Sequence, residues 1–156
     1  MTDADFIRSF EDCTLPNSAF HHRDHVRLAW LYLRQYPALE ALVRFSEGLK
    51  RFAAANGRPG LYHETITWAY LLLIHERMAR TEADTWEEFA QCNADLLTWK
   101  PSVLDRYYEK ETLGSDLARK VFVLPDRCAA GHSSSRAGSG PRCPGSLSTG
   151  PSDPRQ

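Results

Sequence analysis

The chain has 156 residues, 42% of them hydrophobic, with a formal net charge of -1 and a pI near 6.6. That length fits one domain with a real core. Near-neutral charge, with no basic run interleaved with aromatics, points away from nucleic acid and anionic membranes.

The longest apolar stretch, "WAYLLLI", is far too short to cross a bilayer. The N-terminus, "MTDADFIRSFEDC", is acidic and carries no hydrophobic signal core, so the expectation is a soluble, cytoplasmic protein. The four cysteines, at 13, 92, 128 and 143, form no CxxC pair. Zinc-binding cysteines normally come two to four residues apart. Cys13 and Cys92 are therefore expected as small apolar residues.

The first predicted helix covers residues 3–13, with Phe6, Ile7 and Phe10 at helical spacing. "LPNS" then breaks it. A second helix is predicted from about His22 to Tyr36. Pro37 opens the third in its first turn, where a missing N–H costs nothing. The third places Leu39, Leu42, Val43, Phe45, Leu49 and Phe52 at three- and four-residue steps. It is expected to end at Asn56-Gly57.

After the "GRPG" turn, a fourth helix is predicted from Tyr62 to Arg80. It is apolar almost all round, the mark of a central, buried helix. A fifth starts near Thr85, where Thr-Trp-Glu-Glu reads as a capping box, and ends near Asn93. Pro101 is expected to open a short sixth helix through Tyr107-Tyr108, followed by a last turn over 115–120. No stretch alternates as a strand does. The expected fold is all-α, a compact bundle of about five to six helices over residues 1–126. Short connections make helices two, three and four antiparallel neighbours.

Composition changes near Asp126. From Ala129 on, Gly, Ser and Pro make up more than half of the residues, and Leu147 is the only large aliphatic one. Such a segment buries too little apolar surface to offset its ordering entropy. Residues 127–156 are expected to be a disordered tail, which removes His132 and Cys143 from any site.

The stretch "SAFHHRDHVRLAWLYL" holds three histidines in five residues. On a helical wheel, Arg23, Arg27 and Arg34 share one side with Asp24 nearby. His22 and His25 fall in the opposite, apolar sector one turn apart, and His21 lies at its edge. His63 shares a face with Thr67, Tyr70 and Ile74. If helices two and three are antiparallel and of similar length, the chain returns beside the start of helix two. His63 and Glu64 then sit level with His22 and His25.

Two histidines at i and i+3 with a third from another helix make a facial set suited to a divalent metal, Zn²⁺, Fe²⁺ or Cu²⁺. His22, His25 and His63 are the candidate ligands. Glu64 is a candidate fourth ligand, an acceptor behind an imidazole, or a general base. His21, Tyr62, Thr67 and Tyr70 are candidate pocket residues. The plain alternative is a polar core, in which the histidines satisfy each other or backbone carbonyls and Glu64 merely complements the helix dipole. His75 lies about 16 Å beyond Glu64 along the helix axis and belongs to no common site. The four tryptophans and the Tyr107-Tyr108 pair are expected as packing residues, one or two of them lining a pocket.

"FHHRDHVRLAWLYL", "LYHETITWAYLLLI" and "RYYEKETLGSDLARKVFVLPD" resemble segments of a group of short bacterial helical proteins, over most of residues 15–126. The resemblance implies a helical bundle and carries over neither activity nor catalytic residues. In architecture alone, the expected bundle is also similar to the metal-dependent DinB-like bundles, which use three histidines. Two functions follow as expectations. One is a mononuclear metal protein, with an open coordination position for chemistry on a small molecule. The other is a non-catalytic helical module that binds a small ligand or a partner. DNA-binding regulation is disfavoured because no basic recognition helix is present.

Overall fold

The computed structural model describes residues 1–127, which contain helices and turns and no strand. The helices are α1 (Asp3–Glu11), α2 (His22–Gln35), α3 (Ala38–Ala55), α4 (Glu64–Arg80), α5 (Trp86–Cys92), α6 (Lys110–Leu113) and α7 (Asp116–Lys120). Single 3₁₀ turns stand at Asn17–Ala19, Pro59–Leu61, Ala94–Leu97 and Val103–Arg106. The all-α expectation holds. The expectation of a disordered tail, with His132 and Cys143 in it, lies outside the described residues.

α1 starts with a capping box between Thr2 and Asp5 and buries Phe6, Ile7 and Phe10. It stops two residues short of Cys13, which takes a left-handed φ of 55° and turns the chain out of the helix. Cys13 is partly buried and Cys92 is exposed, so only the former packs as expected.

α2, α3 and α4 pack on one another and form the centre. Only Tyr36 and Pro37 separate α2 from α3, so α3 must fold back along α2. Its buried stripe runs through Ala41, Leu42, Phe45, Ser46, Gly48, Leu49 and Phe52. Leu39 and Val43, expected on this face, are 78% and 62% exposed. A three-residue step joins Leu39 to Leu42 and a four-residue step joins it to Val43, but Leu39 and Val43 both lie more than a quarter turn from the middle of the stripe. At Gly48 the backbone of α3 comes so close to α1 that a Cβ there would stand 2.6 Å from the Phe10 ring.

α3 ends at Ala55 with Asn56 as its cap, and Gly57 takes a φ of 69°, the left-handed exit that glycine allows. α4 is central as expected, touching α2, α3, α7 and the turn at 103–106. α5 opens on the expected capping box between Thr85 and Glu88. The helix expected to open at Pro101 begins instead after Ser102, whose hydroxyl accepts from Leu104 N–H, and makes only a 3₁₀ turn.

The last described residues are tied to the bundle. Thr65 is fully buried; its hydroxyl donates to Val121 O at 2.8 Å and accepts from Val123 N–H at 3.1 Å. Tyr108 donates to Val123 O at 2.8 Å, and Phe122 stacks on Trp68. Among the described residues no helix is long and apolar enough to cross a membrane.

Candidate functional site

The fold-back of α3 brings three helices together around one cavity of about 640 Å³. α2 contributes His22, His25, Val26 and Ala29, and α3 contributes Phe45, Leu49, Phe52 and Ala53. α4 adds Ile66, Thr67, Tyr70 and Ile74. Phe20, Tyr62, His63 and Trp99 complete the wall, and Asn17, Asn56, Arg58, Leu61 and Arg119 also border it. The size lies within the range of small-molecule sites.

Six of the eight residues singled out from sequence line this cavity: His22, His25, His63, Tyr62, Thr67 and Tyr70. His21 does not. It is exposed at the N-cap of α2, where its backbone N–H donates to the Asp24 carboxylate at 2.9 Å. The chain is still extended at His21 (φ -102°, ψ 176°), so the helical wheel that put it beside the apolar sector does not apply. Glu64 is also outside the lining. It begins α4, half-buried, in the first turn where a carboxylate complements the helix dipole.

Two of the three imidazoles, those of His22 and His63, bond the backbone. His63 caps α4: its Nδ1 accepts from Ile66 N–H at 3.2 Å. Its Nε2 donates to Leu113 O at 2.7 Å. These partners fix the neutral tautomer with the proton on Nε2, and both ring nitrogens are used. His22 donates from Nε2 to Leu96 O at 2.8 Å, leaving Nδ1 as a lone pair. Burial pushes its pKa down, and the Leu96 carbonyl opposes this.

His25 stacks on Phe20, ring centroids 4.0 Å apart, and neither nitrogen has a hydrogen-bond partner among the described residues. Burial, with His22 nearby, lowers its pKa to about 4. It is therefore a neutral imidazole, offering one N–H and one lone pair to the cavity.

A metal held by His22, His25 and His63 does not fit this arrangement. Metal-bound imidazole needs a free nitrogen lone pair, and His63 has none. Among the described residues no group of three His, Cys, Asp or Glu side chains is placed to hold an ion. The first turns converge as the helix pattern suggested, while both nitrogens of His63 and Nε2 of His22 are spent on a cap and on carbonyls.

Two hydroxyls behave differently. The Tyr62 OH and the Ser46 Oγ are buried with no hydrogen-bond partner among the described residues. Burial raises the Tyr62 phenol, as does the neighbouring Glu64 carboxylate, while the nearby Ser46 and Thr67 hydroxyls lower it. None of the three is in hydrogen-bonding geometry with it. A buried hydroxyl without a partner is costly, and this one belongs to a cavity-lining side chain. Tyr70, in contrast, shares a 2.8 Å hydrogen bond with Ser102.

Phe20 and Arg119 were not foreseen as site residues, and Trp99 was expected only as one of four tryptophans of which one or two would line a pocket. Trp99 is 47% exposed and lies 5.1 Å from the His22 ring. Arg119, on α7, donates to Gly60 O at 3.0 Å. No periodicity marks either one, because each reaches the cavity through a chain reversal distant in sequence. Comparison with protein-family models, with curated proteins and with solved structures found no match.

Proposed function

We propose that this protein is a small-molecule-binding helical bundle, with the ligand held between α2, α3 and α4 and the histidines forming part of the wall. The carrying observation is the cavity itself: about 640 Å³, walled mainly by aliphatic and aromatic side chains. A few polar groups with unused hydrogen-bonding capacity, the His25 imidazole and the Tyr62 hydroxyl, face a ligand in this reading. That combination is the usual make-up of a ligand site.

Binding is favoured over catalysis by the same residues. The lining contains no Asp, Glu, Ser, Cys or Lys; its hydroxyls are those of Tyr62, Thr67 and Tyr70, and none of them is hydrogen-bonded to a histidine that could act as its base. Glu64, the candidate base, stands next to Tyr62 behind the wall. A metal-dependent reading through His63 requires its Nδ1 to give up the Ile66 N–H that it caps.

Calorimetry and thermal melting with naphthylmethanol, a neutral apolar probe, test the proposal. The expected result is saturable binding with a rise in melting temperature. Ala29 is fully buried and lines the cavity, so Ala29→Phe directs a ring into the space. This variant should fold and lose the probe; Leu49→Trp, from the facing helix, serves as the second filling variant. A wild-type protein that neither binds the probe nor melts higher with it refutes the proposal.

A further inference from the structure

We propose that the ligand is a compact hydrophobic monoanion of the aromatic carboxylate class, its ring among Phe20, Phe52 and Tyr70 and its carboxylate against Arg58 and Arg119. This rests on the small-molecule reading above and assigns the chemistry of the ligand.

The charges around the cavity carry the assignment. Arg58 and Arg119 are the two residues of fixed charge in the lining, and no carboxylate stands among them. Neither arginine forms an ion pair among the described residues, a property they share with Arg23, Arg34 and Arg51, while arginines at 8, 27, 44, 77, 80, 106 and 127 are paired; of the five, only Arg58 and Arg119 line the cavity. Arg119 spends one guanidinium N–H on Gly60 O and keeps the others. A guanidinium presents paired donors in the geometry that a carboxylate accepts.

A cation has no counter-charge here. The Leu96 and Leu113 carbonyls, two acceptors close to the histidines, are occupied by His22 and His63. The body of the ligand follows from the wall. Phe20, Phe45, Phe52, Tyr62, Tyr70 and Trp99 all line it, and aromatic side chains pack flat rings by offset stacking and edge contacts.

Three probes with one ring system separate the possibilities: naphthoate, naphthylmethanol and naphthylmethylammonium, titrated into the full chain by calorimetry at near-neutral pH. Naphthoate should bind roughly tenfold more tightly than the alcohol at low salt, and the margin should shrink as salt is added. Arg58→Gln and Arg119→Gln should each lower the ratio of naphthoate to alcohol affinity by roughly threefold. The double variant should bring it close to one, with melting curves confirming that the variants fold. Alcohol or ammonium binding as tight as naphthoate overturns the anion assignment and leaves the pocket intact. So does a ratio unchanged in the folded double variant. Failure of all three probes overturns the pocket reading as well.

Discussion

The ring of His63 bridges two parts of the chain fifty residues apart, donating from Nε2 to the carbonyl oxygen of Leu113 at 2.7 Å. The same ring caps α4 through Nδ1. It therefore holds the end of α6 against the start of the central helix. Sequence pattern nominated it as a metal ligand; its bonds make it a structural clamp.

His63→Ala removes both bonds. It leaves the Ile66 N–H and the Leu113 carbonyl without their partner, and should cost roughly 2–3 kcal/mol. His63→Asn keeps a side chain suited to the N-cap but does not reach Leu113, so it should recover about half of that loss. Chemical denaturation of the three proteins checks the order. Equal stability of the alanine and asparagine variants refutes the capping role.

Added Zn²⁺ should leave the melting temperature unchanged, and chelator treatment should not lower it. A ligand that binds the folded state raises its stability in proportion to log concentration above Kd, so the measurement is sensitive. A saturable rise together with stoichiometric zinc in elemental analysis shows that the histidines rearrange to take the ion.

Acid should weaken the fold through His25. Its folded pKa is lowered from 6.5 to about 4 by burial, with His22 adding repulsion. The unfolded chain thus takes up a proton at higher pH than the folded one. Stability is fully present above about pH 6.5 and falls as the pH drops toward 4, where the folded state also protonates. The integrated loss is on the order of 3 kcal/mol. His22 and His63 line the same cavity, as do Arg58 and Arg119, so no carboxylate in the lining rescues the charged form. His25→Gln, which cannot titrate, should make the profile shallower between pH 4 and 6.5, leaving the part that the lowered His22 contributes. Identical profiles for variant and wild type refute this origin.

Gly48→Ala should destabilise the bundle despite the better helix propensity of alanine. The added methyl would meet Phe10 Cε1 at 2.6 Å and Cζ at 3.1 Å. Phe10 is fully buried, with Phe20 and Phe52 each 5.4 Å away between centroids, so its ring has little room to swing. Overpacking of this kind costs about 1–3 kcal/mol, against a gain of about 1 kcal/mol from propensity. A higher melting temperature in the variant shows that α1 shifts freely on α3.

Helix content, the centrality of α4 and the capping boxes are properties of short windows, and the sequence alone determined them. The spacing of Phe6, Ile7 and Phe10 places them inside, and Thr85 with Glu88 starts α5, because each depends only on residues within one or two turns. The meeting of His22, His25 and His63 at one cavity was also legible, since a two-residue link between α2 and α3 leaves little choice but to fold back. What those histidines do was not. Leu96 and Leu113 lie 74 and 50 residues from the rings that bond them, and a backbone carbonyl carries no signature in sequence. The same holds for Trp99 and Arg119, which chain reversals deliver to the cavity. Tertiary packing alone decided which lone pairs were spent and which polar groups remained for a ligand. Hydrogen-bond partners are chosen by proximity in space, and side-chain spacing along a helix constrains only one side of each bond.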